Sequence, residues 1–142
     1  MKISDVLRSK GSDVVTIAPD DTVATLLGLL AEHRIGAVVV SRGDGAVDGI
    51  VSERDIVRHL HSLGAAVLDQ PVSAIMTAEV HTCSTHDDVR DLAARMTERR
   101  IRHVPVVEDD TLVAIVSIGD VVKHRIRDLA AERDQLEAYI TQ

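Results

Sequence analysis

The chain repeats itself once, and that repeat limits its architecture more than any other feature. A shift of 66 residues lays Val14, Thr16, Asp21, Val23, Leu26, Glu32, Arg34, Ile35, Val38 and Val40 on Val80, Thr82, Asp87, Val89, Leu92, Glu98, Arg100, Ile101, Val104 and Val106. After a one-residue deletion in the second copy, a shift of 65 lays Ile50, Val51, Ser52, Asp55, Val57 and His59 on Ile115, Val116, Ser117, Asp120, Val122 and His124. A period this long, present in two copies, points away from a solenoid of short repeats and predicts a pseudo-twofold pair of similar units.

Both copies follow one local grammar. Val14, Val15, Thr16 and Ile17 form a β-branched run closed by Pro19, and Asp20, Asp21 and Thr22 offer N-cap oxygens to a helix with Val23, Leu26, Leu27 and Leu30 on one face. In the second copy residues 80–83 are the strand, 84–88 supply the cap, and Val89, Leu92, Ala93 and Met96 form the apolar stripe. Two strands follow, residues 37–40 and 47–52 around the turn Gly43-Asp44-Gly45, or residues 104–107 and 112–117 around Asp109-Asp110. A second helix starts near Glu53 or Ile118 and carries Ile56, Val57 and Leu60, or Val121, Val122 and Ile126. The predicted fold is therefore α/β (α+β), with two β-α-β-β-α units packed sheet to sheet and an extended C-terminal helix. Residues 1–66 and 67–126 are the expected units and 127–142 the helical extension. Val72 to Met76 echoes Ile3 to Leu7, so each copy has a short leading segment.

Composition narrows the function. Sixteen Lys and Arg against 23 Asp and Glu give a net charge of −7, the wrong sign for a phosphate backbone, so no nucleic-acid partner is expected. One tyrosine, with no Phe or Trp, leaves almost no surface on which bases stack. No apolar run approaches the ~20 residues that span a bilayer, so no membrane partner is expected either. A single cysteine, Cys83, and a start without signal-peptide character suggest a cytoplasmic protein.

The end of each unit carries the chemistry. In Gly49-Ile50-Val51-Ser52-Glu53-Arg54-Asp55 and Ala114-Ile115-Val116-Ser117-Ile118-Gly119-Asp120 the serine stands where a strand becomes a helix and the aspartate falls in the first turn. Free backbone amides there suit a phosphate, and the carboxylate suits a pair of ribose hydroxyls. The same residues are good helix caps, and both roles are compatible. With the run Arg100-Ile101-Arg102-His103-Val104-Pro105-Val106, these two tails resemble the tandem cystathionine-β-synthase (CBS) domain pair, the Bateman module, from about Ile3 to Ile126.

That resemblance implies two clefts between the units in which adenine nucleotides lie, the base between aliphatic residues and the ribose on the aspartate. Carried onto this chain, Asp120, Ser117, Thr82, Arg102 and His103 would build one cleft, and Asp55, Ser52, Arg54 and Thr16 the other. Pro105, Ile115 and Ile50 complete the set, while Lys123 and Arg58, one turn beyond each aspartate, would add charge for phosphate. Copy one has Gly36-Ala37 in place of Arg102-His103, so the two sites are expected to be unequal, with the Asp120 cleft favoured. The implied ligand is AMP, ADP or ATP, with NAD or NADH as an extension from the same ribose anchor.

An enzyme is not expected. His59 and His61 do not face each other on a helix, His81 and Cys83 lack the motifs that hold zinc, and neither a nucleophile elbow nor a phosphate loop is present. Past the repeat, Ile126, Leu129, Arg133, Leu136 and Ile140 follow heptad spacing, with Tyr139 beside them. Ile126, Leu129, Leu136, Tyr139 and Ile140 are thus the expected homodimer contact, since the family's modules pair into discs. The expected function is that of a nucleotide sensor that signals by shape or assembly through an unidentified protein effector; a ligand-free dimerisation scaffold is the alternative, and an enzyme a less favoured one.

Overall fold

The computed structural model describes residues 1–11 and 13–141. Helix α1 (Ile3–Lys10) leads into β1 (Thr16–Ile17), α2 (Val23–His33), β2 (Ala37–Val40), β3 (Gly49–Ser52) and α3 (Glu53–Leu63). Two 3-10 turns, Gly64–Asp69 and Val72–Ala74, connect this unit to α4 (Val89–Arg99), β4 (His103–Glu108), β5 (Thr111–Ser117) and the long α5 (Ile118–Ile140). The first sheet has the order β1-β2-β3, with β1 parallel and β3 antiparallel to β2; β4 and β5 form an antiparallel pair.

The caps fall where the polar residues before each helix predict them. Thr22 Oγ1 accepts from Thr25 N at 3.2 Å, and Asp88 Oδ1 from Arg90 N at 2.8 Å, each satisfying an amide that α2 or α4 cannot bond internally. Arg34 and Arg100, one repeat apart, end those helices in the left-handed region, at φ 54° and 55°. Asp109 and Asp110 turn the second hairpin with positive φ at both positions, which matches the twist of its strands.

The strand expected at residues 80–83 is reduced to a single parallel bridge between Cys83 and Val106. Cys83 N donates to Pro105 O at 3.0 Å and Val107 N to Cys83 O at 2.8 Å. The next rung upstream would need an N–H from Pro105, which proline lacks; the first copy has Val39 there. The strand expected at 14–17 likewise shortens to Thr16–Ile17, and that at 47–52 to Gly49–Ser52.

Each unit buries its own core, and the leading segments are exchanged between them. Ile3 and Val6 of α1 are fully buried with Leu92, Met96, Val104 and Val116 of the second unit, whereas Val72 and Ile75 are buried with Val23, Leu26, Val38 and Val51 of the first. Backbone bonds fix the exchange. Ile3 N donates to Asp87 O and Ser4 N to Thr85 O, while Val72 N donates to Asp21 O and Ser73 N to Pro19 O. A division at residue 66 therefore follows chain order but not packing, since α1 precedes the first unit and completes the second. Gly49 permits the return crossing: a Cβ there would lie 2.6 Å from Met76 Sδ and 2.9 Å from the carbonyl oxygen of Thr77. The two hairpins also meet, Leu112 N donating to Gly45 O at 2.8 Å.

Candidate functional site

Both second helices begin with the same reciprocal cap. Asp55 N donates to Ser52 Oγ at 3.4 Å, and Asp55 Oδ2 accepts from Ser52 N at 2.9 Å; the matching distances at Ser117 and Asp120 are 3.2 and 2.9 Å. Each aspartate thus spends Oδ2 on its own helix. The strand leading into each unit's hairpin is tied to the same place, for Glu53 N donates to Gly36 O and Ile118 N to Arg102 O.

Around the head of α3 lies a cleft of about 600 Å³ lined by both units. The first contributes Gly36, Ala37, Ile50, Ser52, Glu53, Arg54, Asp55 and Arg58. The second contributes Arg99 to His103, and residues 77 and 79–81 of the connection also line it. Its lining includes the aliphatic side chains of Ala37, Ile50, Val80 and Ile101 as well as the polar groups of Ser52 and Asp55.

This grouping differs from the one drawn in chain order. Arg102 and His103 join Ser52, Arg54, Asp55, Arg58 and Ile50, whereas Thr16 and Thr82, both exposed, line no part of that cleft. The glycine and alanine that replace Arg102-His103 in the first copy therefore do not deprive the Asp55 cleft of cations, because the second unit supplies them across the interface. Burial first, then the Lys10 charge, pushes the His103 imidazole below its ordinary range.

The head of α5 is arranged differently. Lys10 Nζ reaches both Asp120 Oδ2 and Ile115 O at 2.6 Å. Partial burial opposes the charge on Asp120, but the hydrogen bonds from Lys10 and Ser117 outweigh it and hold the carboxyl below the usual carboxylate range. Pro105 is buried in β4 and Ile115 half-buried in β5; Lys123 is exposed and forms no ion pair among the described residues. Along α5, Ile126, Leu129, Leu136, Tyr139 and Ile140 are all more than half exposed, and Val57, Leu60 and Val122 are also exposed. None of the helices is long and apolar enough to cross a membrane among the described residues.

Among the residues that sequence reasoning missed are Arg99, Arg100, Glu53, Glu79, Val80, His81 and Ile101 in the cleft, and Lys10 at Asp120. The run Arg99-Arg100-Ile101-Arg102 at the end of α4 was a visible signal of concentrated charge; nothing local marks Lys10.

Comparison with known proteins fits this geometry. The family model described as CBS domain matches twice, over residues 3–62 and 72–127. The mitochondrial CBS domain-containing protein CBSX3 of Arabidopsis thaliana is 37% identical over 146 residues, covering 97% of this chain and 71% of its own. Among solved structures, the CBS-domain containing protein ATU1752 from Agrobacterium tumefaciens superposes with a TM-score of 0.85 at 47% identity, over 88% of this chain and 99% of that one. The CBS domain pair of protein MJ0100, in complex with 5′-methylthioadenosine and S-adenosyl-L-methionine, shares the fold at TM-score 0.77 and 24% identity, over 87% and 98% of the two chains. With two matched repeats that span most of its length, and the exchanged α/β units that bury their cores separately, the chain belongs to the CBS-domain family as a tandem pair.

Proposed function

We propose that this CBS pair is a regulatory module that binds an adenosine-containing ligand in the cleft at the head of α3, and that it acts by binding rather than catalysis. The observation that carries the reading is the meeting of Ser52 and Asp55 from one unit with Arg102 and His103 from the other around one cleft. Asp55 Oδ2 serves the helix cap, and Oδ1, which has no hydrogen bond among the described residues, is left to accept from ribose hydroxyls. Ile50, Val80 and Ile101 offer the aliphatic walls that a base needs in a chain without Phe or Trp. The adenosine compounds held by MJ0100 support the ligand class, and AMP, ADP, ATP, NAD and NADH are the candidates.

A ligand that touches both units favours one relative placement of them, and this is how binding becomes a signal. The exposed apolar side chains of α3 and α5 are the surface proposed for a second copy, in a C2 dimer, and the output passes from there to a protein effector. A cytoplasmic setting belongs to the same proposal. Isothermal titration calorimetry with AMP, ATP and NADH, on protein shown to be free of nucleotide, tests it. Saturable heat with any of the three supports the sensor, whereas no heat with all three leaves a dimerisation scaffold.

A further inference from the structure

Helix α5 runs for 23 residues, Ile118 to Ile140, whereas the second matched CBS repeat ends at residue 127. At 1.5 Å per residue the remainder extends about 20 Å further, and every residue from 131 to 141 is exposed. One side of the helix is committed to its own module. Val121 and His124 are buried, Arg125 pairs with Asp128 at 3.8 Å, and Glu132 accepts from Arg90 of α4 at 3.3 Å. The other side carries Val122, Ile126, Leu129, Arg133, Leu136 and Ile140 in alternating steps of four and three, all exposed, which is the spacing of a coiled-coil seam.

Charge along the helix is divided by half. Residues 118–127 hold Lys123, Arg125 and Arg127 against Asp120, a net +2, while residues 128–140 hold Arg133 against Asp128, Glu132, Asp134 and Glu137, a net −3. With Arg125 and Glu132 spent within the module, Lys123 and Arg127 remain without ion pairs among the described residues. Glu137 stands two heptads from Lys123 on the same flank of the seam, its ion pair being with Arg133 of its own helix at 3.9 Å. A helix whose halves differ in sign complements itself when reversed. Antiparallel pairing about a twofold axis near residue 131 sets Val122, Ile126 and Leu129 against the partner's Ile140, the partner's Leu136 and the partner's Arg133, and Lys123 beside the partner's Glu137. Parallel pairing in register would instead set Arg133 against the partner's Arg133 and Glu137 beside the partner's Glu132, like charge on like. We infer that the end of α5 is an interface for a second copy of this chain, joined antiparallel through the seam from Val122 to Ile140. This rests on the dimer reading, adds the helix and its direction to it, and is independent of the ligand.

The test is electron paramagnetic resonance distance measurement in the full chain, with Cys83→Ala as background and one nitroxide per chain at Ala131→Cys or at Ala138→Cys. Both positions are exposed and lie opposite the seam, and circular dichroism verifies that the variants fold. Labels at 131 should lie about 25–35 Å apart across two packed helices, and labels at 138 farther apart, because reversal offsets them by about 21 Å along the axis. Equal distances, or a shorter one at 138, overturn the antiparallel order. A dimer by light scattering whose labels at 131 are more than about 40 Å apart places the contact on another face, which overturns this inference and spares the dimer. A monomer removes both. Charge reversal with Cys83 in place gives a second readout. Glu137→Lys should weaken the dimer at least about tenfold in sedimentation, and adding Lys123→Glu should recover most of the loss. Asp134→Lys, the same change of charge away from the seam, should alter it less than about threefold. Tighter or unchanged association of Glu137→Lys overturns the pairing, since relief of the partner's Glu132 belongs to the parallel order.

Discussion

Lys10 Nζ lies 2.6 Å from Asp120 Oδ2, so the last charged residue of the first helix sits on the carboxylate that heads the last one. Asp55, at the same repeat position, carries no such ammonium among the described residues. A ligand on Asp120 would be confined to Oδ1, beside an ammonium that already offsets the carboxylate charge through Oδ2. Binding is therefore expected to saturate with one ligand per chain, and Lys10→Ala is expected to admit a second, read as the stoichiometry in calorimetry. The tie is only partly shielded, with side chains 31% and 23% exposed, so its loss should cost about 1 kcal/mol of stability or less. A stoichiometry unchanged by Lys10→Ala would show that the Asp120 side is closed for another reason.

Asp55 caps its helix and, in the proposed site, would also hold the ligand, so the two losses can be read separately. Asp55→Ala should lower stability by about 1 kcal/mol through the broken cap, measured by urea unfolding. Ligand affinity should fall by about 1–3 kcal/mol, because ribose hydroxyls lose a charged acceptor. An affinity equal to wild type would move the ribose elsewhere.

Glu108 accepts hydrogen bonds from the Thr85 hydroxyl, the Thr85 amide and the Ser84 hydroxyl, and these hold its carboxyl down at about 2 from the usual 4.5. A carboxyl lowered in the folded state adds stability that is fully present above 4.5 and is lost as pH falls from there toward 2. Glu108→Gln should thus lower the thermal midpoint at neutral pH. The gap between variant and wild type should close as pH falls through that window, as followed by circular dichroism.

The exchange of leading segments has a direct readout. Ile3 is fully buried in the second core, so Ile3→Ala should cost about 2–5 kcal/mol. The methyl NMR signals of Leu92 and Met96 should shift, while those of Leu26 and Val38 in the first core stay in place. Shifts centred on the first core would place α1 with its neighbour in sequence.

The exposed stripe on α5 sets the expected assembly. Leu136 and Ile140, four residues apart on α5, are 64% and 79% exposed. Deleting residues 129–142 should lower the mass measured by light scattering from dimer to monomer. A dimer that persists would leave Val57, Leu60 and Val122 as the contact.

Local patterns were legible in the chain because they obey short-range rules. The repeat, the apolar stripes of α2 and α4, the hairpin turns and the caps at Ser52 and Ser117 depend on residues a few positions apart, and each was written twice. Where a long-range partner intervened, the pattern misled: residues 80–83 have strand character, yet Pro105 on β4 withholds the N–H that their ladder needs.

Tertiary structure alone decided which residues share a site. Ile3 to Leu7 and Val72 to Met76 are alike enough that composition does not say which core each completes; the path of the chain does. Packing of the units also brings Arg102, whose carbonyl accepts from Ile118 N at the head of α5, into the cleft with Asp55, and Lys10 across 110 residues to Asp120. By itself, the sequence determined the units, because hydrophobic period and capping are local. The contents of the clefts were decided only by packing one unit against the other, since a side chain's charge acts on whatever the fold brings near it.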